Sequence, residues 1–452
     1  MSNKFSIYVC QNCGSETNQY FGRCINCKEW NSIIEEPKSS RNKNNLINEI
    51  KTSKLFSEIE IQKISRIKTG FKELDRVLGG GFVNGSVVLL GGEPGIGKST
   101  LVLQAAAKIS LFKKVLYVTA EESLEQVKLR WERLNQESSN LKIFSENSLS
   151  CILNELKTSN PSLTIIDSIQ AINNEELESS SGSVSQVRSC SNELQKFAKE
   201  NNISMLIIGH VTKDGSLAGP KTLEHLVDVV LNFEGDQISS HRLIRSVKNR
   251  FGATLELGIF EMVDNGLKEV KNPSSNFTNK ENVAGVATTI TNEGTRSFAV
   301  DIQALVNKSF YNNPKRTTTG TNLNRLHQII AVIEKHVKLK LSDFDCYIAT
   351  AGGFEINDPS SDLGIAIALI SSLKNLAPIQ NTTFIGEIGL SGKVRKTIYL
   401  KSKIEEAIRL GFKNILIPQI NKEMRYSFNK SINIIEVSNI NEASSIAFDN
   451  YK

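Results

Sequence analysis

At 452 residues the chain exceeds what one hydrophobic core usually holds, about 250–300 residues, so more than one domain is expected. A hydrophobic content of 39% and a charged content of 23% are ordinary for a soluble globular protein, and no apolar stretch is long enough to cross a bilayer. The N-terminal "MSNKFSIYVCQNC" lacks the apolar run of a signal peptide, so a cytoplasmic protein is expected, and a net charge of +6 permits a polyanionic partner without demanding one.

In chain order, the first element is Cys-rich and spans residues 5–35. "CQNC" and "CINC" place Cys10, Cys13, Cys24 and Cys27 on two knuckle-like turns, the spacing of a four-cysteine zinc ribbon. Zn²⁺ takes four thiolates tetrahedrally, and so small a module needs the metal to be stable. A redox CxxC pair is disfavoured because no βαβ pattern surrounds it. The remaining cysteines, Cys151, Cys190 and Cys346, are expected to be small core residues. Polar residues 36–60 read as a linker.

From residue 61 to 272, apolar strands alternate with amphipathic helices, the pattern of an α/β domain with a mainly parallel sheet. Its strongest signal is "VVLLGGEPGIGKSTLVLQAA". An apolar strand runs into Gly92-Glu93-Pro94-Gly95-Ile96-Gly97-Lys98-Ser99, followed by Thr100 and a helix. This is the P-loop pattern: backbone N–H groups wrap a triphosphate, Lys98 reaches the β- and γ-phosphates, and Ser99 offers its hydroxyl to Mg²⁺. A nucleoside triphosphate, Mg²⁺ and Zn²⁺ are therefore the expected cofactors.

Three further strands end in chemistry-bearing residues. "KVLYVTAEES" ends at Glu121, a candidate to orient the attacking water, and Glu122. An acid at a helix N-terminus, stabilising the helix dipole, is the alternative for Glu121 and the better fit for Glu122. "SLTIIDS" ends at Asp167, where a P-loop NTPase holds Mg²⁺. "MLIIGH" ends at His210, placed as a γ-phosphate sensor. The following "VTKDGSLAGPKT", with Lys213 and Lys221, and "NNEELESSSGSVSQVR" are expected as mobile loops on one sheet edge. They would either meet a phosphate polymer or simply connect elements. Further on, "SVKNRFGA" puts Lys248 and Arg250 two residues apart, which strand alternation sends to one face. The region from 283 to 452 mixes strands and helices in a further domain.

Together, "TGFKELDRVLGGGFVNGSVVLLGGEPGIGKSTL", "IGHVTKDGSLAGPKTLEHLVD", "KNRFG" and the leading four-cysteine element resemble, in the same order and over nearly the whole chain, the RadA (Sms) family of bacterial DNA repair proteins. The resemblance implies an α/β fold: a RecA-like P-loop NTPase core, a small N-terminal zinc ribbon and a C-terminal α+β Lon-protease-like domain. It also implies ATP as the nucleotide, and a DNA-dependent ATPase that forms a homo-oligomeric, hexameric ring. Such a protein binds single-stranded and branched DNA and promotes branch migration alongside the RecA recombinase at the nucleoid. Lys248 and Arg250 look like the paired cations that reach a neighbouring subunit's nucleotide, an arginine-finger device, with DNA contact as the other role.

The C-terminal domain is similar to the proteolytic domain of Lon, where a lysine activates a serine nucleophile. Aligning "GGFEINDPSSDLGIAIAL" on the shared Gly-Ile-Ala puts Asp362 at the serine position, with Ser360 and Ser361 just before it, and Lys401 roughly matches the lysine. An aspartate is not an acyl-transfer nucleophile, so a pseudoprotease is expected. "SFYNNPKRTTTGTNLNRLH" resembles the family's basic segment, and its Lys315, Arg316 and Arg325 with Tyr311 are expected to contact DNA. The family more often has an acidic residue where Asn322 stands. The competing readings are an ATP-dependent Lon-type protease, disfavoured by Asp362, and a RecA-fold regulatory ATPase acting on proteins, disfavoured by the basic loops and "KNRFG".

Overall fold

The computed structural model describes residues 6–10, 15–37, 65–210, 222–235, 241–254, 256–270, 272, 274, 278, 282–310, 313–351, 355–420 and 432–448. Cys13, Lys213, Lys221, Tyr311 and most of the expected linker lie outside the described residues. The chain divides into two compact units, Met1–Glu269 and Val270–Lys452. Among the described residues no helix is long and apolar enough to cross a membrane.

The N-terminal segment of the first unit is a three-stranded antiparallel sheet of β1 (Ser6–Cys10), β2 (Glu16–Thr17) and β3 (Ile33–Pro37), in the order β2-β1-β3. Cys10, Cys24 and Ile33 form its small buried cluster. So little apolar surface cannot offset the entropy of ordering the chain, which leaves the thiols as the remaining source of stability.

The rest of the unit begins with β4 (Arg66–Ile67), α1 (Lys72–Val77) and β5 (Phe82–Val83), with β4 paired to β5. Nine strands then form one sheet: β6 (Val87–Gly92), β7 (Val115–Thr119), β8 (Leu141–Ser145), β9 (Leu163–Asp167), β10 (Ser204–His210), β11 (Val229–Glu234), β12 (His241–Asn249), β13 (Leu257–Val263) and β14 (Gly266–Glu269). Their order is β14-β13-β12-β11-β6-β10-β9-β7-β8. The run from β11 to β8 is parallel and β12 to β14 add an antiparallel meander.

Both faces of the parallel part are buried. Along β6, Val88 and Leu90 join one apolar cluster while Val87 and Leu89 join the cluster on the opposite face. That is why the strand reads as an unbroken apolar run. Between the strands run α2 (Lys98–Ser110), α3 (Leu124–Leu134), α4 (Leu149–Ser159) and α5 (Val184–Asn201), followed by the short α6 (Thr222–Leu226). Side-chain oxygens of Ser123, Ser148 and Ser183 cap the starts of α3, α4 and α5. The same helices end on Asn135, Asn160 and Asn202, all in the left-handed conformation that asparagine tolerates best after glycine.

In the second unit, seven strands form a mixed sheet: β15 (Val286–Glu293), β16 (Arg296–Lys308), β17 (Arg316–Thr319), β18 (Phe344–Thr350), β19 (Thr382–Phe384), β22 (Asn414–Pro418) and β23 (Asn433–Val437). Their order is β17-β18-β16-β15-β19-β22-β23. A separate pair, β20 (Glu387–Ile388) and β21 (Val394–Arg395), lies between β19 and β22 in sequence. The helix Asp362–Lys374, apolar on nearly every side, is buried against β15 and β16.

Two expectations change. Cys190 and Cys346 are buried core residues as expected, but Cys151 is exposed, on the solvent face of α4. The segment "NNEELESSSGSVSQVR", expected as a mobile loop, is tied down by the fully buried Gln186 of α5. Its side-chain amide donates to the carbonyls of Asn174, Leu177 and Ser179 and accepts from Asn174 N.

Candidate functional site

The P-loop closes β6 and opens α2 at the carboxyl edge of the parallel strands. Gly95 and Gly97 take φ of 77° and 110°, and nothing lies within 4 Å of a Cβ built on Gly95, so the backbone stays open to a ligand. Gly97 is the N-cap of α2 with no side-chain cap, leaving the first N–H groups to face a phosphate. Lys98 is buried, and its Nζ donates to the carbonyls of Gly92 and Glu93, each at 2.8 Å. Burial lowers its ammonium from the ordinary value, while Asp167, Glu121 and Glu93 oppose that shift. Its direct partners, these carbonyls and the His210 ring, include no carboxylate, so its charge remains available to an anion.

The strand ends bring the other expected residues together. His210 Nδ1 lies 3.4 Å from Lys98 Nζ, and His210 Nε2 lies 3.4 Å from Glu121 Oε1. The neutral tautomer with the proton on Nε2 satisfies both contacts, accepting from the lysine and donating to the carboxylate. Ser168 Oγ also donates to Glu121 Oε1. The His210 contact, with help from Ser168, holds the Glu121 carboxyl below its usual range despite partial burial. Glu122, the duller candidate, pairs with Arg130 and accepts no contact from His210 among those described.

Asp167 ends β9, opposite Thr119 of β7. Desolvation raises its carboxyl, and hydrogen bonds from Tyr117 and Ser99 counter the rise. A hydroxyl and a carboxylate linked beside the P-loop are hard oxygen donors, the set Mg²⁺ prefers. Sequence reasoning missed Tyr117, Ser168 and Arg130. Tyr117 carried a readable signal, a phenol inside the apolar run "VLYVT", whose hydroxyl must find a partner once buried.

Lys248 and Arg250 lie elsewhere on the sheet. Lys248 Nζ donates to the carbonyls of Glu224 at 2.6 Å and Val227 at 2.8 Å, at the end of α6. Arg250 falls just past β12 and pairs with Asp228 at 3.1 Å. Plain alternation is interrupted between Val230 and Leu231, where the register with β12 shifts. Even so, both cations meet the one segment from Glu224 to Asp228. Asn249, between the two cations, is level with Val229, which pairs with Val88 of β6, four residues before Gly92. At about 3.3 Å per residue the P-loop is about 13 Å further along the sheet. Neither cation is at its own chain's nucleotide site.

In the N-terminal sheet, Cys10, Cys24 and Cys27 bring their sulfurs within 4.8 Å of one another, with Cys10 and Cys27 at 3.6 Å. Tetrahedral Zn–S bonds of about 2.3 Å set sulfurs about 3.8 Å apart, so the three thiols fit zinc. Lys28 N donates to Cys24 O, closing the second knuckle.

In the second unit the expected DNA contacts Arg316 and Arg325 have internal partners instead. Arg316 donates to the carbonyls of Lys315, Phe344 and Leu341. Arg325 forks onto the buried Asp362, with Nε 2.8 Å from Oδ1, and also reaches Ile388 O. Lys315 is exposed. Lys401, matched to the Lon lysine, is also exposed and lies near Glu405. The buried lysine is Lys403, two residues on, with Nζ 2.6 Å from Asp358 Oδ2, and burial lowers its ammonium from the ordinary value while the Asp358 carboxylate opposes that shift. The Gly-Ile-Ala alignment fixed one end of the site, but only the fold shows which face of the helix Leu400–Leu410 turns inward.

Comparison with known proteins covers all three parts. The AAA domain family matches residues 52–216, the rubredoxin metal binding domain matches 8–35, and subunit ChlI of Mg-chelatase matches 330–421. The ChlI match falls in the second unit, the Lon-like domain. The DNA repair protein RadA of Listeria monocytogenes is 44% identical over 96% of each chain, and that of Bacillus subtilis is 43% identical over 98% of each. The Synechocystis protein of the same name is 45% identical over 91% of this chain and 88% of its own. On these near full-length matches the chain belongs to the RadA family of DNA repair proteins, with the RecA-like ATPase core, zinc ribbon and Lon-like domain of that family.

Proposed function

We propose that this chain is a DNA-dependent ATPase that binds single-stranded and branched DNA and promotes branch migration alongside the RecA recombinase, working as a hexameric ring in the cytoplasm at the nucleoid. The observation that carries the reading is the separation of charge along one sheet. A P-loop with an uncommitted lysine lies at the carboxyl edge, and Lys248 and Arg250 lie about 13 Å away toward the other edge. Cations so placed suit a neighbour's phosphates or a DNA backbone, and not the chain's own nucleotide.

Within one site, the P-loop N–H groups and Lys98 bind the triphosphate, and Ser99 and Asp167 would hold Mg²⁺, which when bound neutralises developing phosphate charge. Glu121 orients water. Its own orientation is fixed by His210 and Ser168, and the contact of His210 with Lys98 lets phosphate occupancy bear on the base. In the Lon-like domain Asp362, locked to Arg325, supports a pseudoprotease used for assembly and DNA contact, with Lys315 as its exposed cation.

ATP hydrolysis measured with and without a single-stranded oligonucleotide tests the reading. Stimulation by DNA is expected. Turnover that ignores DNA but responds to a protein partner would favour the regulatory ATPase.

A further inference from the structure

We infer that Tyr117 is a positioning residue for Asp167, setting the carboxylate for Mg²⁺; this rests on the ATPase reading above. Tyr117 is fully buried in the middle of β7, its ring in the apolar cluster that also contains Leu101 and Val102 of α2. Its hydroxyl emerges at the edge of that cluster and donates to Asp167 Oδ2 at 2.5 Å. Ser99, the second residue of α2, bonds to the same carboxylate. The phenol therefore donates to one carboxylate oxygen, and the start of the P-loop helix engages the same group through Ser99.

Several features make this more than a buried hydroxyl finding a partner. Among the described residues Asp167 is the one hydrogen-bond partner given to the Tyr117 hydroxyl. Asp167 in turn has Glu121 and Glu122 near it, so its charge is under repulsion that hydroxyl donors offset. A carboxylate held at one oxygen cannot swing about its terminal torsion, and the orientation of a metal ligand is set by such outer partners. Removing the hydroxyl alone keeps the ring and its packing, and frees that torsion.

The test is Tyr117→Phe in the full chain, read by titration of a fluorescent ADP analogue in Mg²⁺ and in EDTA. Affinity in EDTA should match the wild type, because the phosphates still meet the P-loop and Lys98. The Mg²⁺ concentration giving half of the metal-dependent gain should rise about tenfold, the usual scale for losing an outer partner of a metal ligand. In an Asp167→Asn background the same change should have no further effect on Mg²⁺ dependence, which would establish that it acts through that carboxylate. An unchanged Mg²⁺ midpoint overturns the inference. So does a parallel loss in EDTA, which would mean general loosening. A wild type that binds no nucleotide in either buffer would overturn the ATPase reading itself, a result distinguishable because it precedes any substitution.

Discussion

Each unit of this protein buries a lysine beside carboxylates, and the two do opposite things with it. At the P-loop, Lys98 bonds to the carbonyls of Gly92 and Glu93, and Asp167 and Glu121 are occupied by Tyr117, Ser99, Ser168 and His210. In the Lon-like domain, Lys403 faces Asp358 directly and Arg325 forks onto Asp362. The first arrangement keeps cation and carboxylates apart with neutral groups, so an incoming anion and metal can complete both. The second is already neutral and asks for no ligand. Buried charge marks a working site only where its partner is missing.

The sharpest way to break the comparison is Lys98→Ala. If its charge is the uncommitted one, ATP turnover should fall to background, at least the loss of about 10³-fold seen when a transition-state cation is removed. Full turnover in the variant would sink the assignment. Arg250→Ala should cost about 10³-fold while nucleotide still binds in the variant's own P-loop. Mixing it with Lys98→Ala subunits should restore activity, since an intact P-loop can then receive a neighbour's arginine. Normal basal turnover with lost DNA stimulation would instead assign Arg250 to DNA.

On the closed side, Asp362→Ser restores the serine that the Lon alignment expects, yet no peptidase activity should appear. The change leaves the partly exposed Arg325 without its counter-charge and should lower the denaturation midpoint of the second unit, at a cost below the ~3–5 kcal/mol of a fully buried pair because solvent reaches the guanidinium. Casein cleavage by the variant would contradict the view that this centre is locked. The smallest effect is on thiols. Burial pushes the Cys190 thiol up to about 12, so at pH 8 roughly one molecule in 10⁴ carries the reactive thiolate. Iodoacetamide followed by peptide mass spectrometry should label Cys151 and spare Cys190.

Much of this was legible in the sequence because the signals were local. The P-loop glycines, the strand ends at Asp167 and His210, and the CxxC knuckles each depend on a few consecutive residues. What was not legible depended on pairing across the fold. Arg325 reads from the sequence as a cation for DNA, and only the fold brings it to Asp362, 37 residues on. Lys401 and Lys403 are two residues apart on one helix, and only packing against the sheet distinguishes the exposed one from the buried one. The serine-rich segment near Leu177 looked mobile because nothing local orders it, whereas a single glutamine on the next helix does.

The direction of the parallel strands also constrains how copies of the chain can join. If, as proposed, the cations of one copy serve the P-loop of the next, the two surfaces that meet are unlike, since the phosphate receptor lies near one end of β6 and the cations near the other, and copies can then join head to tail. Any open row built this way ends with one P-loop that no neighbour's arginine reaches. Only a closed circuit of subunits leaves none waiting.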